Sequence, residues 1–330
     1  MRECKVSSRR FYYFLTFYLG VVLALIFYIP FTQVEYHLLQ KEQFLTTILA
    51  KEVYSFFNNY IILRLVFFSI SLLSLYLLKK VAFFYLNKSF AYLSLILYLL
   101  TPGVFVSFII ANFATLPLFL TLLFVYSYMN KNILFQLLSL VLLFFTNTPI
   151  FIFYFAVSSY AFYKKDWQLF ILGAILFIIS AITSTYYIGG IPKGYIVELF
   201  INYAIIFSPF YFIAILYTIY RLARDKNLSL IWYISTFFLV VSILLSIRQK
   251  VKVTEFAPFI VIISPLVVMV FKNSISIRLK QFQKWHLRVC KIVLLILFIE
   301  VSLIALSYPI YQLSSHKIKI INSKIYTIKK

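Results

Sequence analysis

The chain has 330 residues, 63% hydrophobic and only 12% charged, with 38 Phe and 27 Tyr against 6 Gly. Its mean hydropathy of +0.97 exceeds what a soluble domain of this length can bury, and its long unbroken apolar runs exclude the short alternating strands of a membrane barrel. A net charge of +22, from 31 basic and 9 acidic residues, is read as the basic flanking of membrane helices and not as a nucleic-acid-binding surface.

In chain order, Arg2, Lys5, Arg9 and Arg10 precede an apolar run from Phe11 to Pro30 that is long enough to span a bilayer. No small-residue cleavage site follows, so this run is read as an uncleaved anchor with its N-terminus in the cytoplasm. The next segment, 31–58, is the longest outward loop. Val34, Leu38, Leu45, Ile48 and Leu49 recur there at helical spacing and predict an amphipathic helix lying on the membrane surface. Further spans are predicted over 59–78, 89–103, 108–128, 132–147, 149–163, 167–187, 199–220, 228–247, 255–271 and 290–310. With the first run these make about eleven. Thr101-Pro102-Gly103 and Thr146-Asn147-Thr148-Pro149 interrupt the third to sixth. The fold class expected is therefore an all-α polytopic membrane protein. It forms a single transmembrane domain over 1–330, with a short outward tail at 311–330.

The basic residues check this count. Nineteen of the 31 fall in predicted cytoplasmic segments, including Lys79, Lys80, Lys88, Arg221, Arg224, Lys272 and Lys280. That bias orients the chain in the inner (plasma) membrane. Cys4 and Cys290 sit on the cytoplasmic side, and with His37, His286 and His316 scattered there is no disulfide framework or metal-ligand spacing. No metal and no cofactor are expected. Asn87 and Asn227 head Asn-x-Ser triplets in predicted cytoplasmic loops, away from glycosylation.

Against the orientation, Arg248, Lys250 and Lys252 fall in a predicted outward loop, where positive charge is depleted. Such a cluster calls for an anion, and the phosphate end of a polyprenyl carrier is the economical candidate. Arg64, about 7–8 Å into the second span at 1.5 Å per residue, either snorkels to the outer head groups or joins this cluster. Glu35 and Glu42 are seven residues apart, nearly two helical turns, and so face one way beside the apolar stripe. A carboxylate held there has the chemistry of a general base for an acceptor hydroxyl, or else is the solvated face of an interfacial helix. The Gly-rich segment Ile188–Gly194 lacks phosphate-loop spacing and is read as a turn or lid. Glu300, within the last span, is costly if ionised and receives no role.

Three passages resemble the GT-C superfamily of membrane glycosyltransferases, in particular the bacterial branch similar to dolichyl-phosphate-mannose protein mannosyltransferases and the aminoarabinose transferase of lipid A. They are Glu35-Tyr36-His37 after the first span, Leu100-Thr101-Pro102-Gly103-Val104, and Arg248-Gln249-Lys250 followed by Glu255-Phe256-Ala257-Pro258-Phe259. The likeness is one of layout over most of the chain. A lone Glu35 stands where the family usually has an Asp-Glu pair, and the large outward C-terminal domain is missing, as in a divergent or truncated member. The resemblance implies sugar transfer from a polyprenyl-phosphate-linked donor to a glycan or lipid acceptor outside the cytoplasm. Glu35 would be the base and Glu42 the second candidate, with Arg64, Arg248, Lys250 and Lys252 on the donor phosphate. The alternatives are a lipid-linked sugar transporter or flippase, which needs no base, and a non-catalytic membrane assembly partner.

Overall fold

The computed structural model describes residues 7–40, 44–146, 149–183, 189, 194–226, 228–277 and 279–313. Among them it contains helices and no strand. The helices are α1 (Ser8–Tyr28), α2 (Gln33–Gln40), α3 (Leu45–Phe57), α4 (Tyr60–Tyr85), α5 (Lys88–Leu99), α6 (Pro102–Ile109), α7 (Thr115–Met129), α8 (Ile133–Phe144), α9 (Ile150–Lys164), α10 (Trp167–Thr183), α11 (Ile196–Phe207), α12 (Pro209–Arg224), α13 (Leu230–Ser246), α14 (Val253–Val261), α15 (Ser264–Ile277) and α16 (Lys280–Leu313).

Their ends follow local chemistry. Ser7, Asn59, Asn132 and Ser229 accept hydrogen bonds from first-turn amides of α1, α4, α8 and α13, satisfying N–H groups that have no partner inside a helix. Proline sets the breaks. Pro209 has no N–H to offer the Ile205 carbonyl four residues back, and it disfavours helical backbone at Ser208, which turns to φ 71°. α11 and α12 therefore meet at 106°. By the same logic Pro265 deprives the Val261 carbonyl, and α14 and α15 meet at 50°. α5 and α6 meet at 71° across Thr101–Pro102.

α4 is the axis of the bundle, packed on α1, α3, α5, α6, α7 and α15. α9 packs on α10 and α13, α13 on α14, and α15 on α5 and α12. One apolar core runs through these contacts, from Val22 and Leu78 to Phe153, Phe238 and Ile263. The outer surface is apolar as well. Ile171, Ile175, Ile178 and Ile182 are exposed along α10, Leu134, Leu138 and Val141 along α8, and Leu295, Phe298 and Leu303 along α16. Apolar surface on both sides of the helices is the mark of a chain whose solvent is lipid.

Among the described residues, three helices are individually long and apolar enough to cross a membrane: α1, α4 and the Phe282–Ser307 part of α16. Counting each bent pair as one raises this to six. The remaining apolar helices α7, α8, α9, α10 and α13 have 12 to 17 residues, or about 18–26 Å of axis against about 30 Å of hydrocarbon. Of the expectation of about eleven spans, the all-helical architecture with several apolar helices is met and the count is not, since three to six spans qualify among the described residues. Two predicted spans, 199–220 and 255–271, are bent pairs, because each contains a proline whose effect on the helix the hydropathy pattern does not register. The predicted surface helix in 31–58 is two helices, α2 and α3.

Candidate functional site

Polar constellations interrupt this apolar body, and two of them hold predicted site residues. The first lies where α1 hands the chain to α2. Pro30 has no N–H for the Ile26 carbonyl, and Arg64, one turn into α4, supplies the missing donor: its Nη1 donates to Ile26 O at 3.0 Å and to Ile29 O at 2.6 Å. Nη2 donates to Pro30 O at 2.7 Å and to Glu35 Oε2 at 2.7 Å, and Nε donates to Glu35 Oε1 at 2.6 Å. All five N–H groups of the guanidinium are thereby used on protein acceptors. Glu35 Oε2 also accepts from the backbone N and the hydroxyl of Thr32, both at 2.9 Å. Arg64, Glu35 and Thr32 are each 0% exposed. The two-pronged pair is the geometry in which guanidinium and carboxylate fit best, and the cation sits at the C-terminal end of α1, the favourable end for it.

This arrangement corrects two expectations. Glu35 does not stand on the solvated face of an interfacial helix; its carboxylate is sealed inside the protein and engaged on both oxygens, out of reach of an acceptor hydroxyl. Arg64 neither snorkels to the head groups nor has a donor left for a phosphate. The two residues act together as a lock joining α1, α2 and α4. Glu42, the second carboxylate, lies outside the described residues.

The second constellation is a groove of about 550 Å³ between α11 and the start of α14. Ile205 and Ile206 of α11 and Val253 of α14 give it apolar lining, and Lys250 and Lys252 give it positive charge. Asn202 and Thr254 add polar groups. The position follows from the local chain. The loop after α13 is tied to the segment before α11 by Tyr195 N donating to Ser246 O at 2.9 Å, Gly194 N to Ile247 O at 3.3 Å and Gly189 N to the Gln249 side chain at 3.0 Å. Those bonds hold Lys250 over the first turn of α11, where it pairs with Glu198. The Glu198 carboxylate raises the Lys250 pKa above its ordinary value of 10.5. Lys252 stands at the N-cap position of α14, and Val253 and Thr254 of its first turn line the same groove.

Of the predicted phosphate ligands, then, Lys250 and Lys252 come together. Arg248 is exposed on the adjoining turn and does not line the groove. The groove is open sideways: Ile205 is 67% exposed, and Val197, Ile201 and Ile205 form a stripe at one-turn spacing along the outer face of α11. Its floor is fixed by a close crossing, since a Cβ on Gly103 of α6 would lie 2.6 Å from Ile206 Cγ2 and 3.3 Å from Ile206 O. Only a glycine lets α6 and α11 approach this closely.

Sequence reasoning missed Glu198, Asn202 and Thr254. Glu198 and Lys250 are 52 positions apart, with no local pattern linking them. Elsewhere Glu300 accepts from Ser208 Oγ at 3.0 Å at the α11–α12 bend, while its other oxygen is buried with no hydrogen-bond partner. Among the described residues no group of three or more His, Cys, Asp or Glu is placed to hold a metal.

Comparison of the chain with protein-family models, with curated proteins and with solved structures returns no match.

Proposed function

We propose that the chain is a multi-pass inner-membrane protein that receives the phosphate end of a polyprenyl-type lipid in the α11–α14 groove. The three long helices, the three bent pairs and the five shorter apolar helices would together make eleven passes, with the N-terminus cytoplasmic and the groove on the outer side. The reaction that best suits this layout is transfer of a sugar from a polyprenyl-phosphate carrier to a glycan or lipid acceptor, as in the GT-C glycosyltransferases. The observation that carries the reading is the groove itself: apolar residues of α11 adjoining an exposed apolar stripe on the same helix, lined together with two lysines.

In such a transfer the bond between the anomeric carbon and the phosphate oxygen breaks, and its electron pair leaves on the phosphate. Lys250 and Lys252 would stabilise that charge. The acceptor hydroxyl forms the new bond to the anomeric carbon and gives up its proton, with Glu42 the candidate base of the first outward loop. Glu35 is not the base in this reading, because its carboxylate is committed to Arg64 and Thr32.

That same commitment favours a second reading, in which the protein carries or presents a lipid-linked sugar without chemistry, as a transporter, flippase or assembly partner. A radiolabelled polyprenyl-phosphate sugar offered to the protein in nanodiscs separates the two: an enzyme consumes it in the presence of acceptor, a carrier only binds it. Binding itself tests the groove. Replacing both Lys250 and Lys252 by Ala should weaken a polyprenyl-phosphate analogue by about tenfold or more, since each charge-assisted contact contributes about 1.5–3 kcal/mol at most and less at an exposed rim. Unchanged affinity in the double variant would remove the groove from consideration.

A further inference from the structure

Positive charge gathers at the end of the bundle opposite the groove. Tyr85 closes α4 beside Ser229, which caps the start of α13; the groove lies beyond the other end of α13. Six basic residues stand at the first end. Arg9 and Arg10 lie in the first turn of α1, Lys79 and Lys80 near the end of α4, Lys88 at the start of α5 and Lys272 in the second half of α15. α5 packs on α1, α4 and α15, and Lys272 Nζ lies 5.8 Å from the Phe90 ring centroid at the start of α5. None of these four helices contains an Asp or Glu.

Lys79 is the best seated of the six. Its Nζ donates to the Tyr12 hydroxyl at 3.2 Å and lies 5.5 Å from the Tyr12 ring centroid and 5.9 Å from that of Phe83. Tyr92 of α5 packs in turn on Phe11, Tyr12 and Phe83. α1, α4 and α5 thus build one aromatic seat for one ammonium. Rings attract that ammonium without neutralising it, so its charge remains for an anion. Tyr12 accepts from Lys79, and its own O–H can donate onward. Arg9 is exposed and precedes Tyr12 by one turn, on the same face of α1.

We infer that the junction of α1, α4 and α5 binds the phosphate of an anionic phospholipid, with Lys79 and Arg9 as its ligands and the Tyr12 hydroxyl as a further donor. Depth supports a lipid. Counted from Tyr60, about 30 Å of hydrocarbon is crossed in about 20 residues, which ends at Lys79 and Lys80, the level of head-group phosphates. The surface beneath supports it too. Tyr13 and Phe17 follow Arg9 at one-turn spacing and are 74% and 65% exposed, and Tyr76 and Leu73 lie exposed beneath Lys80. That is charge at the phosphate level above apolar surface for acyl chains, and a soluble anion has no use for the second part. The bound lipid would tie α1 to α4 at this end of the bundle, as Arg64 and Glu35 do at the other. The assignment is independent of what the groove binds.

The test titrates the full chain in detergent with phosphatidylglycerol or phosphatidylcholine and reads lipid binding by native mass spectrometry. Lys250→Ala/Lys252→Ala serves as the background, so that the groove lysines contribute nothing. Each basic residue at a bilayer surface is worth about fivefold in affinity for an anionic lipid. Phosphatidylglycerol should therefore bind about tenfold or more tighter than phosphatidylcholine. Lys79→Gln and Arg9→Gln should each weaken phosphatidylglycerol about fivefold and leave phosphatidylcholine unchanged. Tyr12→Phe keeps the ring under Lys79 and should weaken it less. Lys164→Gln, which removes an equal charge from another ring-stacked lysine at the end of α9, should leave it unchanged. Should Lys79→Gln fail to fold, Arg9→Gln at its exposed site carries the test. Equal binding of the two lipids, or unchanged phosphatidylglycerol affinity in Arg9→Gln, would overturn the site. A loss in Lys164→Gln as large as in Arg9→Gln would reduce it to the general field of the basic face. Displacement of phosphatidylglycerol by millimolar inorganic phosphate would assign the site to a soluble anion and overturn the lipid.

Discussion

Replacing Arg64 by Met should destabilise the protein far more than it alters any ligand contact. Methionine has nearly the length of the arginine stem but no donor. The substitution removes two hydrogen bonds to Glu35 and three to the Ile26, Ile29 and Pro30 carbonyls. It leaves a carboxylate at 0% exposure without its cation. Removing one partner of a buried pair costs about 3–5 kcal/mol, most of it the uncompensated charge and not the lost attraction. Glu35→Gln keeps the shape and one acceptor oxygen, but leaves Arg64 as the uncompensated charge, so it belongs to the same range at its lower end. The Arg64→Met/Glu35→Gln double variant removes both charges and should lie well above the sum of the singles, with the residual loss coming from the three carbonyls that only Arg64 satisfies. Unfolding in mixed detergent–SDS micelles, followed by tryptophan fluorescence and by retention as a monodisperse species, measures all three. The reasoning fails if Arg64→Met unfolds with wild type, or if the singles are additive. It also fails if Glu35→Gln is as stable as wild type yet loses activity, because that pattern belongs to an accessible base.

Further outcomes follow from the same geometry. Gly103→Ala should cost about 1–3 kcal/mol as overpacking, because the new methyl group would lie 2.6 Å from Ile206 Cγ2; adding Ile206→Ala should restore part of it, read in the same unfolding assay. In a background with Cys4 and Cys290 changed to Ser, a cysteine at the exposed Phe56 and one at the exposed Ser276 should label from opposite sides of the membrane, and labelling from one side would invert or break the proposed topology. The Lys250–Glu198 pair has a raised lysine pKa in the folded protein, so on the alkaline side its contribution is fully present below the ordinary lysine value of 10.5 and is lost only as pH rises through the higher folded value. Phosphate-lipid affinity should accordingly hold steady through mildly alkaline pH and drop beyond that point, as titrations at stepped pH would show.

The sequence by itself determined the class of the molecule. Its hydropathy and its long apolar runs point to apolar helices, and the structure is all-helical among the described residues. These are signals carried by composition and by runs along the chain. The same locality explains the basic loop: Lys250 and Lys252 are two positions apart, and they do meet at one groove. What lay beyond the sequence was every relation between distant segments. Glu35 looked like an exposed base because its own helix has a polar face there; that it is sealed depends on Arg64, 29 residues away, turning inward to donate to a carbonyl that Pro30 left without a partner. The bends of α11–α12 and α14–α15 were hidden because hydropathy averages over a window, whereas a proline acts on one carbonyl four residues back. Glu198 carried no signal, since nothing in its neighbourhood shows that a lysine 52 positions later will sit above it. Charge and burial are properties of surroundings, and those of Glu35, Arg64, Glu198 and Lys250 are built by segments that only the packed bundle brings together.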